Sequence, residues 1–226
     1  AYAAMIGVSD IEKLGLYKTS ASLEHETLEI GRARAFTEGW LEREASFVHM
    51  SYKYLIGMFK SGLYKEFYQD IKSGMPPFMN PLVYGRSTLE NVSFIATSNN
   101  PNPKVNGRGF VARLTGTTSQ ALTLAYFFPI GKHPFEFIND ELTFKIEPKL
   151  KKSFFKNGLV SIKFLTHIKI IIHNEYQEDT FNQKVTKYVL YAKDQVEMVE
   201  SSIIKGKLAK DIRDLKYEEI HVYLGK

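Results

Sequence analysis

The hydrophobic pattern of this chain changes its period near residue 133. Before that point, apolar residues recur at the three- and four-residue spacing of an amphipathic helix, as in Phe47, Tyr54, Leu55, Met58 and Phe59. After it, apolar and polar residues alternate, which is typical of β-strands with one buried face. The pattern therefore predicts an α+β chain of two domains, with residues 1–133 mainly helical and residues 134–226 forming an antiparallel β-sandwich.

Three helices are predicted in the first part. They cover residues 46–60, 63–73 and 117–128. Glycine or proline follows each of them, and both residues end helices. Residues 78–109, between the second and third helices, contain few regular elements, and loops of this length inside a domain often carry function.

Short alternating segments dominate the second part. Asn139-Asp140 and Asn157-Gly158 are typical hairpin turns. His167 and His173 fall inside predicted strands, where alternation with Ile and Thr indicates a sheet face rather than a ligand set. The predicted strands cover residues 135–138, 142–146, 159–165, 168–173, 185–191, 196–199 and 220–224.

The composition excludes several classes of protein. The chain of 226 residues has no cysteine, which rules out disulfides, thiolate metal sites and cysteine nucleophiles. Its net charge of +5 suits anionic ligands, but no basic stripe with interleaved aromatics indicates nucleic-acid binding. No segment approaches the roughly 18 apolar residues of a membrane span. We therefore expect a cytoplasmic protein with neither nucleic-acid nor membrane partners.

The start of the third predicted helix is a candidate anion site. Residues 115–119 (TGTTS) precede the apolar run 121–128, and Thr115 or Thr117 can cap the helix. The amides that follow have no partner inside the helix, and the positive end of the helix dipole lies beside them. The alternative is an ordinary capped core helix. Because the run behind is apolar on every side, we expect the helix to be buried.

His49 lies in the first turn of the first predicted helix. It is either a half-buried structural histidine or a group directed into a cleft at the same end as Glu42, where it would respond to a bound anion. The charged run at residues 42–44 is first interpreted as a solvated loop. Residues 24–26 (EHE) match no zinc-binding spacing, so we expect no metal ion.

Arg86 and Glu90 lie in the long loop, as do Arg108 and Arg113. Arginine side chains suit carboxylates, phosphates and sugar hydroxyls, although each of these arginines also fits an ordinary surface position. Arg86 and Glu90 are taken as candidate substrate-binding residues.

Three segments taken together resemble the C-terminal part of the 1,2-β-oligoglucan phosphorylases, which are long members of the cellobiose phosphorylase family. They are residues 36–49 (FTEGWLEREASFVH), 84–95 (YGRSTLENVSFI) and 107–118 (GRGFVARLTGTT). The similarity runs from about Met5 to the C-terminus. It implies that residues 1–133 are the last part of an (α/α)6 barrel and that residues 134–226 are the β-sandwich that follows it.

The resemblance also implies an activity. The family cleaves β-glucan oligosaccharides reversibly with inorganic phosphate as co-substrate, needs no cofactor, and inverts the anomeric centre to give α-glucose 1-phosphate. By position, His49, Thr115 and Gly116 correspond to phosphate-binding residues, with Thr117 beside them, and Glu42 corresponds to a sugar-binding residue.

The family's general-acid aspartate and a phosphate-binding arginine lie far upstream of the histidine. The resemblance therefore assigns no catalytic acid to this chain. We expect it to be inactive alone and to require either an N-terminal companion chain or a longer protein. Two alternatives stay open: a non-catalytic carbohydrate-binding or interaction domain, with exposed Tyr and Phe in its β-half, and a hydrolase that uses Glu42 as acid or base.

Overall fold

The structure is a computed structural model that describes residues 14–111 and 115–226. The chain divides into two compact units, Ala1–Leu124 and Ala125–Lys226. Both units contain helices and sheets, so the predicted α+β class is confirmed. The assignment of the two parts to a barrel segment and a sandwich stays a prediction, as does the boundary near residue 133.

Helices α1 (Val48–Lys60) and α2 (Tyr64–Gly74) form a hairpin in the first unit. Both were predicted to within two residues. Helix α1 begins later than expected because Ser46–Phe47 is strand β1, which pairs with β2 (Phe94–Ile95). A short helix, α3 (Pro81–Tyr84), lies in the long loop and is capped by the Asn80 side chain.

A small three-stranded sheet in the order β1-β2-β3 lies beside the start of α1. Strand β2 pairs on its other side with β3 (Gly109–Phe110). Phe47, Phe94 and Phe110 stand in register, with successive ring centroids 4.8 and 5.6 Å apart, and Trp40 stacks on Phe110 at 3.6 Å. These aromatic contacts order a segment that the sequence indicated only as loop.

Helix α4 (Thr115–Phe127) is the third predicted helix, and it begins two residues earlier than expected. The expectation that it is buried on every side is wrong. Leu124 is buried, but Leu122 and Tyr126 are 60% and 37% exposed. Residues four apart lie on the same helix face, so Leu122 and Tyr126 mark a face that is only partly covered, with the Tyr126 and Phe164 ring centroids 6.4 Å apart. Composition alone does not distinguish a covered apolar face from an open one.

The second unit contains a five-stranded sheet, formed by β6 (Leu159–Phe164), β7 (Ile168–His173), β8 (Lys184–Tyr191), β9 (Val196–Val199) and β11 (Glu219–Gly225). The strands lie in the order β6-β7-β11-β8-β9. Neighbouring strands are antiparallel except for β7 and β11, which are parallel, so the purely antiparallel arrangement predicted for this region is wrong at that pair. The alternation of apolar and polar residues indicates which face of a strand is buried but not the direction in which the strand runs.

A three-stranded sheet in the order β10-β5-β4 completes the second unit together with helix α5 (Gly206–Arg213). Helix α5 was not predicted. Its apolar signal is weak, because only Ala209 and Ile212 are buried apolar residues among eight, of which half are charged. The strands are β4 (Phe135–Ile138), β5 (Glu141–Phe144) and β10 (Ile204–Lys205).

Both predicted hairpin turns are confirmed. Asn139 and Asp140 have φ values of 51° and 62°, and Asn157 and Gly158 have φ values of 53° and 75°. Two successive residues with positive φ define the tight turn whose twist matches antiparallel strands. Of the helices in the described residues, none has the length and apolar character needed to cross a membrane.

Candidate functional site

The ring of His49 lies against Gly116 in the first turn of α4. A methyl group at Gly116 would fall 2.9 Å from His49 Nδ1 and 3.0 Å from Cε1. Real side-chain carbon atoms essentially never approach closer than 3.0 Å. Position 116 therefore needs glycine as long as His49 keeps this position, and the two residues, distant in sequence, form one site.

The small sheet sets the position of His49. The Val48 amide donates to the Ser93 carbonyl at 2.8 Å, which holds the first turn of α1 beside strand β2. One turn further along α1, the Tyr52 hydroxyl donates to Asn91 Oδ1 at 2.6 Å. The rings of Phe47 and His49 are 5.8 Å apart. The imidazole is thus carried on a helix start that is attached at two points to the later loop that contains Asn91 and Ser93.

The N-terminus of α4 supplies hydrogen-bond donors to the same site. The amides of Thr115, Gly116 and Thr117 belong to the first turn and have no acceptor inside the helix. They point in one direction, along the positive end of the helix dipole. This arrangement favours an anion in front of the helix.

Two buried polar atoms at the site lack a partner. His49 Nδ1 and Thr117 Oγ1 make no hydrogen bond to any described residue, and Thr117 is fully buried. A buried polar atom left unsatisfied costs about 1–3 kcal/mol. Two such atoms beside unpaired helix amides therefore indicate a place for a ligand that accepts hydrogen bonds.

Ser93 was missed by the sequence reasoning. It is fully buried, its carbonyl holds the Val48 amide, and its hydroxyl has no partner in the described part of the chain. Nothing in the local sequence distinguishes it from other loop serines. Its contact with Val48, the residue before His49, becomes apparent only once β2 pairs with β1.

Glu42 forms an ion pair with Arg32 at 2.7 Å, and both side chains are partly or largely exposed. Its carbonyl accepts a hydrogen bond from the Thr19 hydroxyl at 3.3 Å. An exposed pair of this kind contributes little to stability and leaves the carboxylate accessible to other partners. Its sugar-binding role stays a prediction.

The expectation that residues 42–44 form a solvated loop is wrong for Arg43 and Glu44. Glu44 is buried and accepts hydrogen bonds from Asn99 at 2.7 Å and Lys18 at 3.3 Å. Arg43 pairs with Glu38 at 2.6 Å. The chain folds inward here because Glu44 adopts a positive φ of 61°, which a charge pattern does not encode.

Arg86 and Glu90 pair with each other at 3.2 Å and are both partly exposed. The Tyr84 hydroxyl also donates to the Glu90 carbonyl at 2.6 Å. Arg108 donates to the Lys104 carbonyl at 2.9 Å, and Arg113 lies outside the described residues. Binding of substrate by Arg86 and Glu90 stays a prediction.

A second histidine cluster lies on the five-stranded sheet. His173 Nε2 and His221 Nδ1 are 2.9 Å apart, and His221 Nε2 donates to Glu219 Oε1 at 2.7 Å. Lys169 pairs with Glu219 at 3.0 Å. Burial, with a contribution from His221, lowers the pKa of His173 below its ordinary value. The hydrogen bond from His221, followed by that from Lys169, lowers the pKa of Glu219.

These contacts agree with the interpretation of His173 as part of a sheet face. His167, in contrast, lies in the turn between β6 and β7 and not in a strand, which corrects the sequence prediction. His167 lies outside the strand because Leu165 and Thr166 both adopt positive φ and end β6 before it.

Comparison with known proteins adds no relative to this picture. No family model matches the chain, and no curated protein matches it. The geometry around His49 and Gly116 and the sequence resemblance are therefore the basis for a function.

Proposed function

We propose that the first unit binds inorganic phosphate between His49 and the N-terminus of α4, as the phosphate-side portion of an inverting glycoside phosphorylase. The observation that carries the proposal is the contact between the His49 ring and Gly116, where a methyl group would come within 2.9 Å of Nδ1. The sequence resemblance assigns phosphate binding to these same two residues, which lie far apart in the chain. Their contact in the folded unit supports that assignment.

Each group at the site has a role in holding an oxyanion. The amides of Gly116 and Thr117, together with that of Thr115, donate to phosphate oxygens. The Thr117 hydroxyl and an N–H of His49 add donors that are already fixed in place, so that little reorganisation accompanies binding. The two atoms that lack partners, His49 Nδ1 and Thr117 Oγ1, are then satisfied by the ligand.

The proposed reaction is phosphorolysis of a β-glucan oligosaccharide. A phosphate oxygen attacks the anomeric carbon, a bond forms between them, and the glycosidic carbon–oxygen bond breaks. The leaving oxygen takes a proton from a carboxylic acid that we assign to no residue of this chain. Attack from the opposite face inverts the centre and yields α-glucose 1-phosphate. Glu42, Arg86 and Glu90 are proposed to contact sugar hydroxyls.

The fold that goes with this proposal is the closing segment of an (α/α)6 barrel followed by a β-sandwich. The α1–α2 hairpin is the kind of helix pair from which such a barrel is assembled. The multi-stranded sheets of the second unit are compatible with a sandwich.

Titration of the full chain with orthophosphate, followed by amide NMR, tests the binding step. We expect saturable shifts at residues 115–119, and we expect His49→Gln to lose them. His133→Gln is the matched control, since His133 is exposed and lies outside the site. Absence of shifts at residues 115–119 in a folded sample, or equal shifts in His49→Gln, would refute the proposal.

A non-catalytic carbohydrate-binding domain is a second candidate, favoured by the 71% exposure of Phe137 on strand β4. Exposed aromatic rings stack on sugar faces. Glucan binding that survives His49→Gln but fails in Phe137→Ala would support this candidate instead of the phosphorylase.

A further inference from the structure

The second unit contains a cleft of about 560 Å³ at the side of strand β8. Residues 145–149, 181–185 and 202–203 form its walls. The Tyr188 hydroxyl connects the wall formed by residues 145–149 to the wall formed by residues 202–203. It accepts a hydrogen bond from the Ile146 amide at 3.0 Å and donates one to the Ser202 carbonyl at 3.1 Å. The cleft is therefore a fixed feature of the unit, and its volume falls in the range of small-molecule sites.

The cleft is cationic. Three lysines line it, Lys145, Lys149 and Lys184, against one acidic residue, Glu147. Lys145 is neutralised in part by Glu147 at 3.6 Å and by Glu136 at 3.4 Å. An anion in the cleft would complement the remaining positive charge.

Lys149 is partly buried in the wall of the cleft. Its ammonium donates to the Phe181 carbonyl at 2.8 Å, which directs it along the wall formed by residues 181–185. Burial lowers the pKa of Lys149, and Glu147 opposes this effect. An anionic ligand would favour the charged form of a lysine in such surroundings.

Gln183 provides an independent observation. Gln183 is 7% exposed, and its Nε2 donates to Asn174 Oδ1 at 3.2 Å. Asn174 Nδ2 in turn donates to the Glu178 carbonyl at 2.7 Å, which fixes the orientation of both amides. Gln183 Oε1 is left buried, with no partner among residues 14–111 and 115–226. A buried acceptor without a partner is unfavourable, so a ligand group that donates a hydrogen bond to it, such as a hydroxyl, would be stabilised.

We propose that this cleft binds a small sugar that carries one anionic group, of the sugar phosphate class. The anionic group pairs with Lys149 and Lys145, and a sugar hydroxyl donates to Gln183 Oε1. The positive charge of the lysines alone would suit any small anion. The ligand is expected to carry a hydroxyl group as well, because Gln183 Oε1 needs a hydrogen-bond donor. The site lies wholly within the second unit and is independent of the phosphate site proposed for the first.

Amide NMR of the full chain with glucose 6-phosphate, glucose and orthophosphate as separate probes tests the proposal. We expect saturable shifts at residues 145–149 and 181–185 with glucose 6-phosphate, and binding there weaker by about tenfold or more for glucose and for orthophosphate. Lys149→Gln keeps a donor for the Phe181 carbonyl but removes the charge, and Gln183→Met removes the acceptor. Each should weaken binding by about tenfold, a change of about 1.4 kcal/mol.

Lys163→Gln is the matched control, because Lys163 is an exposed lysine of the same unit outside the cleft. It should bind like the unchanged protein. If Lys149→Gln fails to fold, Lys145→Gln replaces it. The proposal is overturned if glucose 6-phosphate gives no saturable shift at these amides, if both variants bind normally, or if either simpler probe binds equally well. Shifts at residues 115–119 report separately on the site in the first unit.

Discussion

His49 in the first unit and His221 in the second are both partly buried beside aromatic rings, yet their ring nitrogens are used differently. Nδ1 of His49 is buried without a partner among the described residues. His221 uses both nitrogens, one with His173 and the other with Glu219. Since the Glu219 carboxylate can only accept, His221 donates to it from Nε2, and its Nδ1 pairs with His173 Nε2.

The difference indicates what each cluster does. A chain of hydrogen bonds in which every member is satisfied stabilises the sheet that carries it and has little left to offer a ligand. Unsatisfied buried atoms lower the stability of the folded chain, and they are typical of positions where a ligand completes the bonding. Four predictions test this contrast between the two histidines, and they follow in order of decreasing effect.

Gly116→Ala should have the largest combined effect on phosphate binding and on stability. The added methyl group would collide with the His49 ring, because it would lie 2.9 Å from Nδ1. We expect orthophosphate binding to fall by at least about a hundredfold and the free energy of unfolding to fall by about 1–3 kcal/mol. Orthophosphate titration and urea unfolding followed by fluorescence of Trp40, the single tryptophan, measure the two effects.

Gly57→Ala is the matched control for that variant. Gly57 also lies in a helix, but a methyl group there would meet nothing within 4 Å. Alanine should therefore stabilise the first unit by about 1 kcal/mol through its helix propensity and leave binding unchanged. Equal binding by Gly116→Ala and Gly57→Ala would contradict the proposed site.

Replacing each histidine by leucine should separate the two clusters. His221→Leu removes partners from His173 and Glu219, and we expect the second unit to lose about 1–2 kcal/mol. His49→Leu removes an unsatisfied nitrogen, so the first unit should lose no more than about 0.5 kcal/mol while phosphate binding disappears. Amide hydrogen exchange in α1 and in β7 and β11 gives the stability of each unit. A large loss in His49→Leu would mean that His49 is structural.

Thr117→Val tests the hydroxyl at the helix start. Valine has nearly the same shape and removes an unsatisfied buried hydroxyl, so the fold should lose no stability, whereas phosphate binding should weaken by about tenfold. Thr123→Val on the same helix is the control, because the Thr123 hydroxyl already donates to the Ser119 carbonyl at 3.0 Å. If both variants bind phosphate like the unchanged protein, Thr117 is not part of the site.

Acidification should weaken the second cluster. The pKa of His173 is lowered by burial, so the unfolded chain takes up a proton at this residue at a higher pH than the folded chain does. Stability is therefore lost as the pH falls below about 6.5, the ordinary histidine value. Stability is lost a second time as the pH falls below the ordinary pKa range of glutamate, because the pKa of Glu219 in the folded chain is lowered by its hydrogen bond from His221.

Between pH 7 and pH 5 we expect the thermal midpoint of the second unit to fall by about 2–4 °C. His173→Phe should abolish the part of this change due to His173, and His133→Gln, at an exposed position, should leave it intact. Thermal unfolding followed through amide signals of β7 and β11 provides the measurement. An identical pH response in His173→Phe would assign the change to other groups.

Local sequence signals predicted much of the secondary structure and part of the candidate site. The hairpin turn at Asn139-Asp140 was predictable because asparagine and aspartate tolerate the positive φ that this turn requires. The position of His49 in the first turn of α1 followed from helical spacing. Both features depend only on residues within about four positions along the chain.

Other features had no such local signal. Glu44 is buried because a positive φ turns it toward Asn99, and its neighbour Glu42 stays at the surface with an identical side chain. Half of the residues of helix α5 are charged, and its burial depends on contacts with strands β5 and β10. Residue type alone does not separate these cases.

The spacing of apolar side chains was enough to predict the α+β character, the two long helices of the first unit and most strands of the second, because this spacing selects the local conformation that buries them. The contact of His49 with Gly116, the parallel pairing of β7 with β11 and the position of Gln183 in the wall of a cationic cleft are visible only in the folded structure. These contacts join residues far apart in the chain. They are set by packing, strand pairing and the satisfaction of buried polar atoms across the whole unit, and not by the residues on either side.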